Sequence, residues 1–351
     1  KGLSGDIAES SLGIIMLCWI GRVLLLGLIS LLGISYWKLE QIRQPIELEE
    51  IPRWQVRELD TKQWEIQSIS DPERKTIAWF RGNPRGLRCD TSILLTGVQQ
   101  GKNLLDGSAV LNDPANTVAM EHPIRKYVSK QSWLSYGVAE WWNVGELIRL
   151  EMLHTLGALQ ALLRYTNGFL DGDARFTEQV VLAGGSFGAP FTAALASLEN
   201  ENVSGLLLIY AFTDFEGLFN REFVRQGRIH YKMPSEPEGL VAWSEDLGLR
   251  VLAGSLAWFL STLLEYGEME AYLPNIRNTP IHFINGRDDR LAPQPSYNLL
   301  WNASPEPKSE LWLPGDHINP GDPVALLQVS EYMYEWGKTQ GLRGCEEFDS
   351  Q

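Results

Sequence analysis

The chain has 351 residues, 44% hydrophobic and 21% charged, so it is long enough to bury a large core and has neither a disordered nor a fibrous composition. Aspartate and glutamate outnumber lysine and arginine 44 to 30, and a net charge of −14 repels a phosphate backbone, which sets nucleic acid aside as a partner. Three cysteines, Cys18, Cys89 and Cys345, form neither a disulfide framework nor a zinc spacing. Free or buried thiols are therefore expected, a Cys89 to Cys345 bridge requires an exported domain, and no metal is called for.

Residues 1–37 contain an apolar run, Leu12 to Trp37, broken only by Arg22. About 20 predominantly apolar residues span a bilayer as a helix, and no small-residue cleavage site precedes Lys38, so the expectation is a single-pass N-terminal membrane anchor. Residues 38–60 are polar, carry Pro45, Pro52 and the acidic Glu47, Glu49 and Glu50, and read as a linker. A folded domain is expected over 61–340, with 341–351 as a tail.

Within that domain Trp64 to Ile69 and Thr76 to Phe80 read as antiparallel strands, and Thr91 to Thr96 as the next strand. The loop Gly97 to Lys102 is one residue short of a phosphate loop, and Asn103 stands where such a loop needs Ser or Thr. Leu104 to Asn112 reads as a helix and Thr117 to Met120 as a strand that ends in His122, which reads as a surface or packing histidine. After a tryptophan-rich loop, Trp133 to Trp142, a long helix is expected over Val144 to Tyr165 with His154 in the core. The Gly and Asp cluster from Asn167 to Phe176 matches no calcium-loop spacing.

Val180 to Gly184 is a buried-strand run that empties into Gly184-Gly185-Ser186-Phe187-Gly188, and the alanine-rich stretch from Ala189 reads as a helix. Strand, tight turn and helix then hold the Ser186 hydroxyl out at the carboxyl end of a sheet. Leu206 to Tyr210 is the next strand and ends near Asp214. A long insert, 212–278, follows; its helix from Leu249 to Tyr266 places Leu252, Leu256, Phe259, Leu260 and Leu263 at three and four spacing. Pro280 to Asn285 leads into Gly286-Arg287-Asp288-Asp289-Arg290-Leu291-Ala292-Pro293, and Glu310 to Leu313 into Pro314-Gly315-Asp316-His317. His230 lies in the insert and His282 inside a strand, which leaves His317 at a strand end.

From the serine turn through the acidic loop to the histidine loop, the sequence resembles the α/β-hydrolase superfamily. The resemblance implies an α/β fold with a mostly parallel central sheet, helices on both faces and a helical cap formed by the insert. It implies Ser186 as nucleophile, His317 as base and Asp289 as acid, because the family spacing Gly-x-x-Asp-x-x-x-Pro falls on Gly286, Asp289 and Pro293; Asp214 is the alternative acid. The oxyanion donors would be the amides of Phe187 and Val98, although the histidine that the family places before the glycine of the latter loop is Thr96 here. The implied activity is cofactor-free hydrolysis of a carboxylic ester, with a lipid or another apolar acyl compound as substrate. An acyltransferase or peptidase on the same triad, or a binding protein on the same fold, would share these features.

Overall fold

The structure, a computed structural model, describes residues 40, 43–96, 105, 115–123, 138–167, 175–231, 239–318 and 322–346. The chain divides into Lys1–Gln44 and Pro45–Gln351. The expected anchor lies outside the described residues, among which no helix is long and apolar enough to cross a membrane.

The second unit is built on one sheet. In chain order its strands are β1 (Trp54–Glu58), β2 (Gln63–Ser68), β3 (Lys75–Arg81), β4 (Arg88–Leu95), β5 (Asn116–Met120), β6 (Phe176–Gly185), β7 (Gly205–Ile209), β8 (Ile281–Gly286), β9 (Lys308–Leu313) and β10 (Cys345–Glu346). Across the sheet the order is β1-β2-β3-β5-β4-β6-β7-β8-β9, with β10 paired to the start of β4. Antiparallel pairing joins β1 to β2, β2 to β3 and β3 to β5, and every pairing from β5 to β9 is parallel.

Among the described residues the helices include α1 (Val138–Thr166), α2 (Ala189–Leu198), α3 (Phe215–Tyr231), α4 (Gly239–Leu264), α5 (Gln294–Ala303) and α6 (Pro323–Thr339). β7 and β8 are buried at every residue and need no polar face, because helices cover both sides of a parallel sheet. The alternation in β3 shows the two layers. Phe80 stacks on Trp64 at 4.6 Å, which meets Tyr165 of α1 edge-on at 5.2 Å. The neighbouring Trp79 points the other way and packs on the cluster that holds Val329, Met333 and Trp336 of α6.

Three expectations are corrected here. The stretch read as a linker contains β1, and Ile46, Ile51 and Trp54 are buried, so the folded unit starts well before residue 61. The long helix begins at Val138, inside the stretch read as a loop. Cys89 and Cys345 form a disulfide, brought together by the antiparallel pairing of β10 with β4 at a Cα separation of 4.1 Å.

α3 and α4 form the segment between β7 and β8. Arg250 of α4 and Arg228 of α3 both bind Asp246, at 2.7 Å each, and hold its carboxyl below the usual range, Arg250 first. Leu252, one of the residues at three and four spacing, is 71% exposed, and Val251 and Trp258 are exposed over more than half of their surface. The side chains of Leu256, Phe259, Leu260 and Leu263 lie outside the described residues.

The two ends of this segment are tied together by one side chain. Glu268, near the return to β8, accepts from the amides of Asp214 and Phe215 at 3.2 and 2.9 Å, at the departure from β7. The Thr213 hydroxyl touches both Glu268 and Glu270. One hydroxyl proton can be donated to only one of these two carboxyl groups at a time, so the contact favours a proton on Glu268. Burial accordingly pushes Glu268 up to about 7.

Two predictions follow from these bonds. A carboxyl raised from 4.5 to about 7 on folding binds a proton that the unfolded chain has released, so its stabilisation is complete below pH 4.5 and is lost as the pH rises through 7. The Tm of the wild type should therefore fall across that window relative to Glu268→Gln, which cannot ionise, in parallel thermal melts. Reduction of the disulfide closing a long loop should lower stability by about 2–5 kcal/mol, seen as matching Tm losses for the reduced wild type and oxidised Cys345→Ser.

Candidate active site

Ser186 follows β6 directly and has a φ of 50°, in the left-handed region that L-residues avoid at a cost of about 1–2 kcal/mol. The turn Ser186–Gly188 then runs into α2. The glycines make this turn sterically feasible. A Cβ on Gly184 would lie 2.0 Å from Thr192 Oγ1 and 2.6 Å from Ala189 Cα, and one on Gly188 would lie 2.0 Å from the Leu95 carbonyl oxygen. Phe187, next in the turn, is 42% exposed.

The acidic loop after β8 buries Asp289, whose Oδ1 accepts from the amides of Leu291 and Ala292 at 2.8 and 2.9 Å. Its Oδ2 faces His317 Nδ1 at 2.7 Å, and His317 Nε2 faces Ser186 Oγ at 2.8 Å. The carboxylate can only accept, so the imidazole proton sits on Nδ1. The bare Nε2 is then left to accept from the serine hydroxyl. Tyr210, at the end of β7, meets His317 edge-on at 5.6 Å; burial first, and the charge of Asp289 second, raise its phenol above the ordinary value.

The two loops are also cross-linked beside these residues. Asp316 accepts from Arg290 Nε at 2.8 Å, from the Arg290 amide at 3.1 Å and from the His317 amide at 2.8 Å. The Arg290 guanidinium, the first cause, and the two amides together hold the Asp316 carboxyl down at about 2.

The structure thus brings Ser186, Asp289 and His317 together and keeps the other acids apart. Asp214 caps the start of α3, its Oδ1 accepting from the Gly217 amide at 3.0 Å, and Asp288 is exposed. Val98, expected to supply an oxyanion donor, lies outside the described residues, as does the side chain of His230. His282 packs on Trp336 at 5.5 Å with Nδ1 2.8 Å from Ser309 Oγ, and His154 packs on Trp54 at 5.7 Å. Among the described residues no group of three or more His, Cys, Asp or Glu is placed to hold a metal ion.

His122, read as a surface or packing histidine, is a packing one and lies beside the serine turn. It is 6% exposed, its Nε2 lies 2.6 Å from the Thr96 carbonyl oxygen, and its ring meets Phe187 at 5.4 Å and Phe191 at 5.0 Å.

No protein-family model and no curated protein matches the chain. Among solved structures it is similar to acetyl xylan esterase 1 of a Thermoanaerobacterium species, at 14% identity and a TM-score of 0.53, over 85% of this chain and 92% of that one. It also overlays an esterase domain from Rhodothermus marinus at 13% identity and a TM-score of 0.48, covering 81% and 99%. For an esterase of Pyrococcus furiosus the values are 14%, 0.47, 86% and 100%. At such identities the likeness shows a shared fold, and the first overlay carries that statement.

The two acids separate cleanly by experiment. Asp289→Asn should lower any Ser186-dependent turnover by about four orders of magnitude, by analogy with the buried acid of serine proteases. Asp214→Asn should leave turnover near the wild-type value while costing about 1 kcal/mol or less of stability as the helix cap weakens, measured by denaturant titration.

Proposed function

We propose, from the premise of an α/β-hydrolase fold, that the protein is a serine hydrolase of carboxylic esters. The observation that carries the reading is the position of His317, within hydrogen-bond reach of both Ser186 Oγ and Asp289 Oδ2. In this reading the serine oxygen attacks the ester carbonyl as its proton passes to Nε2 of His317, and Asp289 stabilises the resulting imidazolium. The imidazolium returns the proton to the departing alkoxide, leaving an acyl group on Ser186. Water, deprotonated by the same nitrogen, then releases the acid and restores the hydroxyl. The amide of Phe187, in the turn that opens α2, would face the developing oxyanion, joined by that of Val98; one such donor contributes about 3 kcal/mol.

The ester assignment is supported by the likeness to an acetyl xylan esterase. An apolar acyl group suits the exposed Phe187 beside the serine. The same proposal holds the protein at a membrane through Leu12 to Trp37, on the strength of that apolar run in the sequence. The Cys89 to Cys345 disulfide supports placing the catalytic unit on the oxidising, non-cytosolic side.

A fluorophosphonate probe should label the full-length protein in detergent, and Ser186→Ala should abolish both labelling and hydrolysis of a panel of p-nitrophenyl esters from acetyl to palmitoyl. Equal labelling of that variant would show that a different serine reacts and overturn the assignment.

A further inference from the structure

His122 is not part of the hydrogen-bonded Ser186, His317 and Asp289 set, yet it is built into the same place from three sides. The carbonyl of Thr96 can only accept, so the His122 proton must sit on Nε2 to bridge the 2.6 Å between them. Nδ1 is then bare, and among the described residues nothing donates to it or accepts from it. A protonated ring would bury an unpaired N–H. Burial accordingly holds His122 neutral, its pKa lowered to about 4 against the raising effect of the Thr96 bond.

The carbonyl it holds is well placed to matter. Thr96 is the first residue beyond β4, and its neighbours are the glycines of the serine turn: a Cβ on Gly185 would lie 2.9 Å from Thr96 Cγ2, and one on Gly188 2.9 Å from the Thr96 amide nitrogen. That carbonyl closes the described end of β4 beside the Ser186 turn, so the His122 bond fixes where the strand ends against the turn. The imidazole ring also packs against Phe187 and Phe191, which carry the turn and the first part of α2.

We infer that His122 is a positioning residue for oxyanion stabilisation: one imidazole ties the Thr96 carbonyl at the end of β4 to the Phe187 turn, whose amide borders Ser186. The inference rests on the serine-hydrolase reading. Its contribution is needed when charge develops on the substrate oxygen, so its loss falls on the transition state more than on substrate binding.

The test uses the full chain, with p-nitrophenyl butyrate as substrate and an alkyl trifluoromethyl ketone as mimic. Ser186 Oγ adds to the ketone carbon, its proton passes to His317, and the ketone oxygen becomes the oxyanion. His122→Leu, which packs but cannot donate, should lower kcat by about 10–100-fold with KM within about twofold, and should weaken the ketone by a comparable factor. His122→Gln, whose side-chain amide reaches the same carbonyl, should recover most of both. A folded His122→Leu with wild-type kcat and ketone affinity, in a wild type that labels with fluorophosphonate, overturns this inference alone. A wild type that no serine probe labels and that hydrolyses no ester overturns both it and the reading beneath it. If His122→Leu fails to fold, Gln and the shorter Asn carry the comparison; equal kcat in those two overturns the inference, and a deficit confined to Asn supports it.

Discussion

Gly188 lets two backbones meet where any side chain would hold them apart. With its Cα against the carbonyl of Leu95, the first turn of α2 settles onto the end of β4, and α2 buries its first eight residues behind the sheet. That burial is what can hold Ser186 in a left-handed conformation, because an unfavourable φ persists only where the surrounding packing over-determines it. The same approach brings Thr96 against the turn, and with it the carbonyl that His122 reaches from the end of β5. One steric allowance therefore places the serine hydroxyl, the start of α2 and the end of β4 in a single rigid group.

The opposite side of the site is held by electrostatics rather than by shape. Asp289 is withdrawn from water, which would be costly for a carboxylate left bare, and it is matched by two amides of its own loop and by His317. The Arg290 to Asp316 pair is exposed and adds little energy by itself. Its value lies in connectivity: each partner is the chain neighbour of Asp289 or His317, so the pair ties the two loops together beside the residues whose separation matters.

Much of this was legible in the sequence because it rests on local signals. Buried parallel strands such as β6, β7 and β8 write themselves as short continuous apolar runs, and a glycine-fenced serine after such a run announces its turn. What escaped notice is set by partners distant in the chain. β1 is an edge strand, and Gln55, Arg57 and Glu58 gave it the look of a linker because an edge keeps one face in water. The bond between Cys89 and Cys345 depends on β10, two residues long, which has no periodicity to read. The helix from Val138 starts among tryptophans, which are mediocre helix formers in isolation. His122 gains its meaning from Thr96 and Phe187, neither adjacent to it in sequence, so nothing local marked its place beside the serine turn.

The knot at Glu268 has a consequence for how such a chain can vary. The residues leaving β7 and those returning toward β8 are joined through one carboxyl group, so α3 and α4 leave the sheet from a closed neck, and α4 also packs on α1. The exposed positions of that segment, such as Val251, Leu252 and Trp258 of α4, can be exchanged while the neck is kept. Such an architecture separates two evolutionary tasks, letting the segment above β7 diversify quickly while the strands below it stay nearly fixed.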